Sequence, residues 1–261
     1  MNLEPIFKTG KQLIPYLTAG DPDLATTKEY LKILADSPVK IVELGIPFSD
    51  PLADGPVIQA SHQRALRQNV TLQKVLEMVR VFRTEVGARG PVPLQIVFML
   101  DYNLIYHYGI EPFAKDCAGA GVAGVLAPNL PLEDPDGLRK KLENAGVDLI
   151  RLVSSSTPPE RVKRICENSS GFIYVLSTHG VTGARASVDS SAKATVDRIR
   201  AVSKLPAAVG FGISKLEHVR DVFSYADGAI VGSALVKALD ESVDKAMSLK
   251  QWTKHFNPDY S

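Results

Sequence analysis

Glu43 stands near the end of an apolar run, Val39-Lys40-Ile41-Val42-Glu43-Leu44-Gly45. A carboxyl group stripped of water there holds its proton to higher pH than one in solvent, and so exchanges protons near neutrality, as general acid–base catalysis requires. A structural carboxylate, paired with an arginine or lysine across the mouth of a sheet, fits the same spacing. Position alone does not choose between the two. The following segment, Ile46-Pro47-Phe48-Ser49-Asp50-Pro51-Leu52-Ala53-Asp54-Gly55-Pro56, adds Asp50 and Asp54 among three prolines. Prolines hold a loop near one conformation at little further entropic cost, which presents both carboxylates with some precision. Turn and capping roles suit the two aspartates as well.

A second kind of chemistry is written farther along. Gly210-Phe211-Gly212-Ile213-Ser214 and Gly232-Ser233 each lead directly into a helical stretch. Glycines let backbone N–H groups approach an anion closely, and a helix N-terminus adds partial positive charge, so the pair outlines a phosphate cradle that needs no lysine. Between these features, Tyr174-Val175-Leu176-Ser177 runs into the polar segment THGVTGAR at 178–185. That segment reads either as a loop closing over ligand or as an ordinary surface turn. The five histidines are scattered, and no HExxH, GxSxG or GxGxxG occurs. No metal centre, nucleophilic serine or dinucleotide site is therefore indicated, and no lysine or histidine is expected among the strand-end groups. Acid–base work on a phosphate-bearing substrate remains.

These residues need a scaffold, and the chain supplies a repeating one. Apolar runs bounded by turn residues begin near Leu13, Val39, Pro93, Ala123, Asp148, Phe172, Ala207 and Gly228, each followed by a helix-period stretch. Leu72, Val75, Leu76, Val79, Phe82 and Val86, for example, form one apolar stripe. Thr157 and Ser214 read as side-chain caps of later helices. Eight strands alternating with helices predict an α/β fold, a closed (β/α)₈ TIM barrel in one domain over residues 1–261. An open doubly wound sheet has the same periodicity. In a barrel, Glu43 and both glycine segments fall at the C-terminal ends of strands, where barrels keep their active sites.

Bulk properties narrow the function further. Thirty basic against 29 acidic side chains give a net charge of +1, which offers no global field to gather nucleic acid or an anionic membrane. Cys117 and Cys166 have no CxxC spacing, so neither a disulfide framework nor a zinc site is suggested. The N-terminus lacks a signal-peptide pattern and no apolar stretch of about 18 residues occurs, so a cytoplasmic protein is expected.

At 43–56 the sequence ELGIPFSDPLADGP resembles the signature segment of tryptophan synthase α subunits. The likeness continues through YLTAGDP (16–22), YVLSTHGVTGAR (174–185), GFGIS (210–214) and DGAIVGSALV (227–236), roughly residues 5 to 255 in all. The resemblance implies a retro-aldol lyase that splits indole-3-glycerol phosphate into indole and glyceraldehyde 3-phosphate, with no cofactor in this chain. It implies that Glu43 moves protons to indole C3 and from the glycerol hydroxyl, while Asp54 accepts the indole N–H. Gly183, Phe211, Gly212, Gly232 and Ser233 would hold the phosphate. Phe211 would also wall the indole site, Thr182 would close beside Asp54, and Tyr174 would line the pocket near Glu43. It further implies a pyridoxal-phosphate β partner in an α₂β₂ assembly, contacted through Asp50, Pro51 and the turn at Asn129.

Three positions depart from the family pattern. Asp101 stands where members usually carry Tyr, Asn129 where Asp is usual, and Thr178 where many carry Arg. Asp101 and Asn129 leave room for a regulatory subunit that cleaves poorly, and the charge lost at Asn129 for a free-standing indole-releasing lyase.

Overall fold

The structure, a computed structural model, describes residues 3–51, 54–87, 93–176, 190–210 and 212–256. Eight parallel strands close on themselves in sequence order: β1 (Gln12–Thr18), β2 (Ile41–Gly45), β3 (Gln95–Met99), β4 (Val122–Leu126), β5 (Asp148–Ser154), β6 (Ile173–Leu176), β7 (Ala207–Gly210) and β8 (Gly228–Val231). All eight coincide with the apolar runs. Closure through β1 and β8, with Gln12 opposite Gly228 and Pro15 opposite Val231, decides for the barrel over the open sheet.

Twelve helices alternate with or follow the strands among the described residues: α1 (Glu4–Phe7), α2 (Leu24–Ala35), α3 (Pro56–Arg67), α4 (Leu72–Val86), α5 (Tyr102–Tyr108), α6 (Ile110–Ala120), α7 (Leu138–Ala145), α8 (Pro159–Glu167), α9 (Ser190–Arg200), α10 (Leu216–Tyr225), α11 (Ser233–Glu241) and α12 (Lys245–Phe256). The stripe read from Leu72 to Val86 is α4 over its full span, with Thr71 accepting from the Lys74 N–H as its cap. Two other expected caps are not formed. Thr157 Oγ1 accepts instead from the Ser154 N–H, closing its own turn, and Pro158 precedes α8 with no side-chain cap. Lys215 occupies the cap position of α10, and the Ser214 N–H is taken by His218 Nδ1.

Strand side chains alternate between two cores, as a period of two requires. Leu13, Leu17, Val42, Leu44, Ile96 and Phe98 point outward into the layer shared with the helices. Ile14, Ile41, Val97, Ile150, Tyr174, Ala208 and Ile230 fill the barrel interior. The short α1 closes the end from which the strands begin. Leu3 and Ile6 pack into the interior cluster, the Phe7 ring meets Phe172 with centroids 5.5 Å apart, and the Leu3 N–H donates to Asp148 Oδ2 at 2.8 Å. A ligand therefore enters the barrel at its C-terminal mouth, where the candidate groups stand.

Candidate active site

Glu43 shares the inward face of β2 with Ile41, so the pleat that buries Ile41 also turns a carboxyl group into the barrel. It lies opposite Tyr16 of β1 and Val97 of β3, and is 3% exposed. Burial, reinforced by the charge of Asp54, raises its pKa to about 8. No hydrogen bond or ion pair ties it to another described residue, which disposes of the structural reading that needed an arginine or lysine across the mouth.

Asp54 reaches the same place from the loop after β2. Its N–H donates to the Pro51 carbonyl at 3.0 Å, and its own carbonyl accepts from Gln59 Nε2 at 2.8 Å, so the end of the loop is strapped to the first turn of α3. The aspartate is thus presented, as expected of a stiffened loop. Burial pushes its carboxyl up to about 6. The helix is anchored in turn: Arg64 grips Asp21 through Nε and Nη2, each at 2.8 Å, and touches Asp240 of α11 at 3.2 Å.

Two tyrosines complete the inner wall. Tyr174, on β6, is buried, and its hydroxyl is held far from ionisation by burial and by the charges of Glu43 and Asp54, which shows that the three groups face one space. Tyr16 lies beside Glu43, and burial together with Asp54 and Glu43 suppresses its ionisation in the same way. Each ring needs a glycine opposite it. A Cβ on Gly45 would overlap the Tyr16 hydroxyl, and one on Gly210 would overlap that of Tyr174. Gly45→Ala is accordingly expected to push the Tyr16 ring aside and destabilise the fold by about 1–3 kcal/mol. Thermal melting checks this, and an unchanged melting temperature would contradict the close fit.

At the far side of the mouth, Gly232 precedes α11 and Ser233 opens it, with no side chain capping the helix. The first-turn N–H groups are free of a side-chain cap and form the anion-binding arrangement of a helix start. Gly232 backs onto Tyr16, its Cα side 3.6 Å from the Tyr16 Cβ when a methyl is placed on it, so the cradle and the carboxylates border the same ring. Gly212 holds a φ of +74°, a conformation that glycine adopts without strain, and is exposed. Phe211, Thr182, Gly183 and the departure at Thr178 lie outside the described residues.

Asp50 and Pro51 stand away from this space. They border a groove of about 360 Å³ on the outer side of the loop, with Ser49, Pro56, Gln59 and Gln63. Asp50 is exposed there. Asn129 and Asp101 prove to be one feature. Asp101 caps α5, accepting from the Asn103 N–H at 2.8 Å, while Asn129 donates from Nδ2 to Asp101 Oδ2 at 3.0 Å and accepts from the Tyr102 N–H at 2.8 Å. An aspartate at 129 would face Asp101 with like charge and no donor. The two departures compensate each other, and Asp101 acts as a cap beside the mouth. Asn129→Asp should cost up to about 1 kcal/mol of stability, recovered when Asp101→Asn is added. Melting of the single and double variants decides it, and simple additivity would refute the coupling.

The expectation that no histidine stands near the strand ends is corrected by His62, which comes from α3 rather than from a strand. Its Nδ1 accepts from the Phe48 N–H at 3.2 Å, its Nε2 is 3.1 Å from Tyr16 Oη, and the same nitrogen is 4.0 Å from Asp54 Oδ2. Burial lowers its pKa to about 4, leaving a neutral ring. Its place was readable: Ile58, Ser61, His62 and Ala65 recur at helical spacing and all are buried on one face of α3.

Comparison with known proteins agrees with this geometry. The family model described as tryptophan synthase alpha chain matches residues 6–258. A tryptophan synthase alpha chain of Acaryochloris marina is 46% identical over 230 residues, 88% of this chain and 84% of that one. One from Methanocaldococcus jannaschii is 43% identical over 248 residues, 95% and 86% of the two chains. Among solved structures, a chain of the tryptophan synthase α₂β₂ complex from Pyrococcus furiosus superposes with a TM-score of 0.86 at 38% identity, covering 95% of this chain and 98% of that one. A tryptophan synthase chain from M. tuberculosis gives 0.85 at 33% identity, with 97% and 96% covered. Agreement of this extent, in sequence and in backbone alike, establishes that the chain belongs to the tryptophan synthase α chain family.

Proposed function

We propose that Glu43 and Asp54 are the acid–base pair that cleaves indole-3-glycerol phosphate to indole and glyceraldehyde 3-phosphate. The family's reaction is this retro-aldol cleavage, and the enzyme is a carbon–carbon lyase. The observation that carries the residue assignment is the pair of buried carboxyl groups facing one space, with pKa values of about 8 and about 6 on either side of neutrality. At neutral pH the first is a proton donor and the second an anion.

The steps balance with these two groups. Protonated Glu43 gives its proton to indole C3, leaving positive charge on the ring, which Asp54 stabilises by accepting the ring N–H. The Glu43 carboxylate then takes the proton of the hydroxyl on the adjoining glycerol carbon. A carbonyl forms there, the bond to C3 breaks, and its electrons restore the indole. Glu43 ends as it began. Gly212, Gly232 and Ser233, with Gly183 and Phe211, hold the phosphate so that this bond lies at Glu43. Tyr174 and Thr182 are the remaining contacts of the indole end.

The chain works as one barrel domain in the cytoplasm, where the phosphorylated substrate is made; among the described residues no helix is long and apolar enough to cross a membrane. It passes indole to a pyridoxal-phosphate β subunit in an α₂β₂ complex. The exposed loop at Asp50 and Pro51 and the exposed turn at Asn129 form the contact face. Mixing the chain with a β subunit should give a larger species on size exclusion and faster indole release. Separate elution and an unchanged rate would defeat the partner reading while leaving the lyase reading intact.

A further inference from the structure

His62 belongs to a buried polar group that the cleavage steps do not use. The Phe48 N–H points at Nδ1, so in the neutral ring the proton sits on Nε2. That N–H has two acceptors in front of it, Tyr16 Oη at 3.1 Å and Asp54 Oδ2 at 4.0 Å. Tyr16 Oη also receives Thr18 Oγ1 at 3.3 Å, and Thr18 is in turn fixed to Ser61 at 2.6 Å, one residue before His62 on α3. Two strand positions and one helix turn are thereby locked around a single imidazole, at 5% exposure.

We propose that His62 is a positioning residue for Asp54: its Nε2–H, shared between Tyr16 and the nearer Asp54 oxygen, holds the ionised carboxylate turned toward the substrate N–H. The histidine also spans from Phe48, at the start of the loop, to Asp54 near its end, so it sets the loop's curvature. The inference rests on the role given to Asp54 above. The groups that face Asp54 from the packed elements are Glu43 on β2, Tyr16 on β1, Tyr174 on β6 and His62 on α3. Asp21, held by Arg64, acts on His62 and Tyr16 from behind. His62 supplies the only N–H donor in this set. Its loss leaves Asp54 among acids and phenols, which favours the protonated carboxyl.

The test is kcat and KM for indole release across pH, for the wild type, His62→Leu, His62→Gln and Tyr16→Phe. His62→Leu should move the acid limb of kcat upward by about half a pH unit or more and lower kcat at neutral pH about threefold to tenfold, with KM changed less than about twofold. His62→Gln restores a donor near the Nε2 position and should bring the limb most of the way back. Tyr16→Phe removes the competing acceptor, gives the N–H wholly to Asp54, and should move the limb the other way, to lower pH. Opposite shifts from two neighbouring residues are not what general loosening of the fold produces. An acid limb unmoved in both His62 variants, or moved upward by Tyr16→Phe, overturns the proposal. If His62→Leu fails to fold, the Gln and Phe variants decide alone. Absence of indole with the wild type would instead defeat the assignment of Asp54, and this proposal with it.

Discussion

Glu43→Gln abolishes indole release, lowering kcat by about 10²–10⁴-fold, and at the same time makes the folded chain more stable at neutral and alkaline pH. The loss follows because an amide neither gives a proton to C3 nor takes one from the hydroxyl. The gain follows from linkage. Burial, then the Asp54 charge, raises the Glu43 pKa from 4.5 to about 8 in the folded chain. Between those values the folded state keeps a proton that the unfolded state has released. The stability contributed by the protonated group is therefore complete below about 4.5 and is lost as pH rises through about 8. Glutamine has no proton to lose, so variant and wild type should melt alike in acid and diverge above it, the variant leading by an amount on the order of a few kcal/mol at most. Circular-dichroism melts at several pH values check this. A variant less stable than the wild type at alkaline pH would return Glu43 to the role of a structural ion pair.

Asp54→Asn is the second large effect. Removing the anion that faces the ring N–H should lower kcat by about 10²–10³-fold, the usual scale for deleting one preorganised electrostatic partner. The residual activity should also change its pH dependence. The wild type needs Asp54 ionised and Glu43 protonated, so kcat rises through about 6 and falls through about 8. In Asp54→Asn the acid limb disappears. Because the Asp54 charge is one of the two causes that raise Glu43, the alkaline limb should move to lower pH. A profile that keeps its acid limb after the substitution would show that another group sets it.

The fold was legible because each of its parts is local. Eight apolar runs with turn residues at their ends give eight strands, and the α4 stripe gives its helix residue for residue. Glu43 was legible for the same reason, a carboxyl group on the inward phase of a strand that is otherwise apolar. What the residues alone left open were questions of long-range contact. Whether Glu43 faced an arginine or another acid depends on what lies across the barrel, and Asp54 was one aspartate among two until the strap from Gln59 set it inward. His62 escaped because the strand ends were searched and it arrives from a helix 19 residues beyond Glu43. Asp101 and Asn129 read as two separate departures because the hydrogen bond joining them spans 28 positions. The two missed caps are a different case, since Thr157 and Ser214 each found a nearer partner than the helix start.

The central claim is that the Glu43–Asp54 pair cleaves indole-3-glycerol phosphate, and the measurement closest to it is indole formation by the purified chain from about pH 5 to about pH 9, with glyceraldehyde 3-phosphate counted alongside. The account predicts equal amounts of both products and a bell-shaped rate with limbs near 6 and 8. No indole at any pH, or a rate that climbs steadily to the alkaline end, would contradict it.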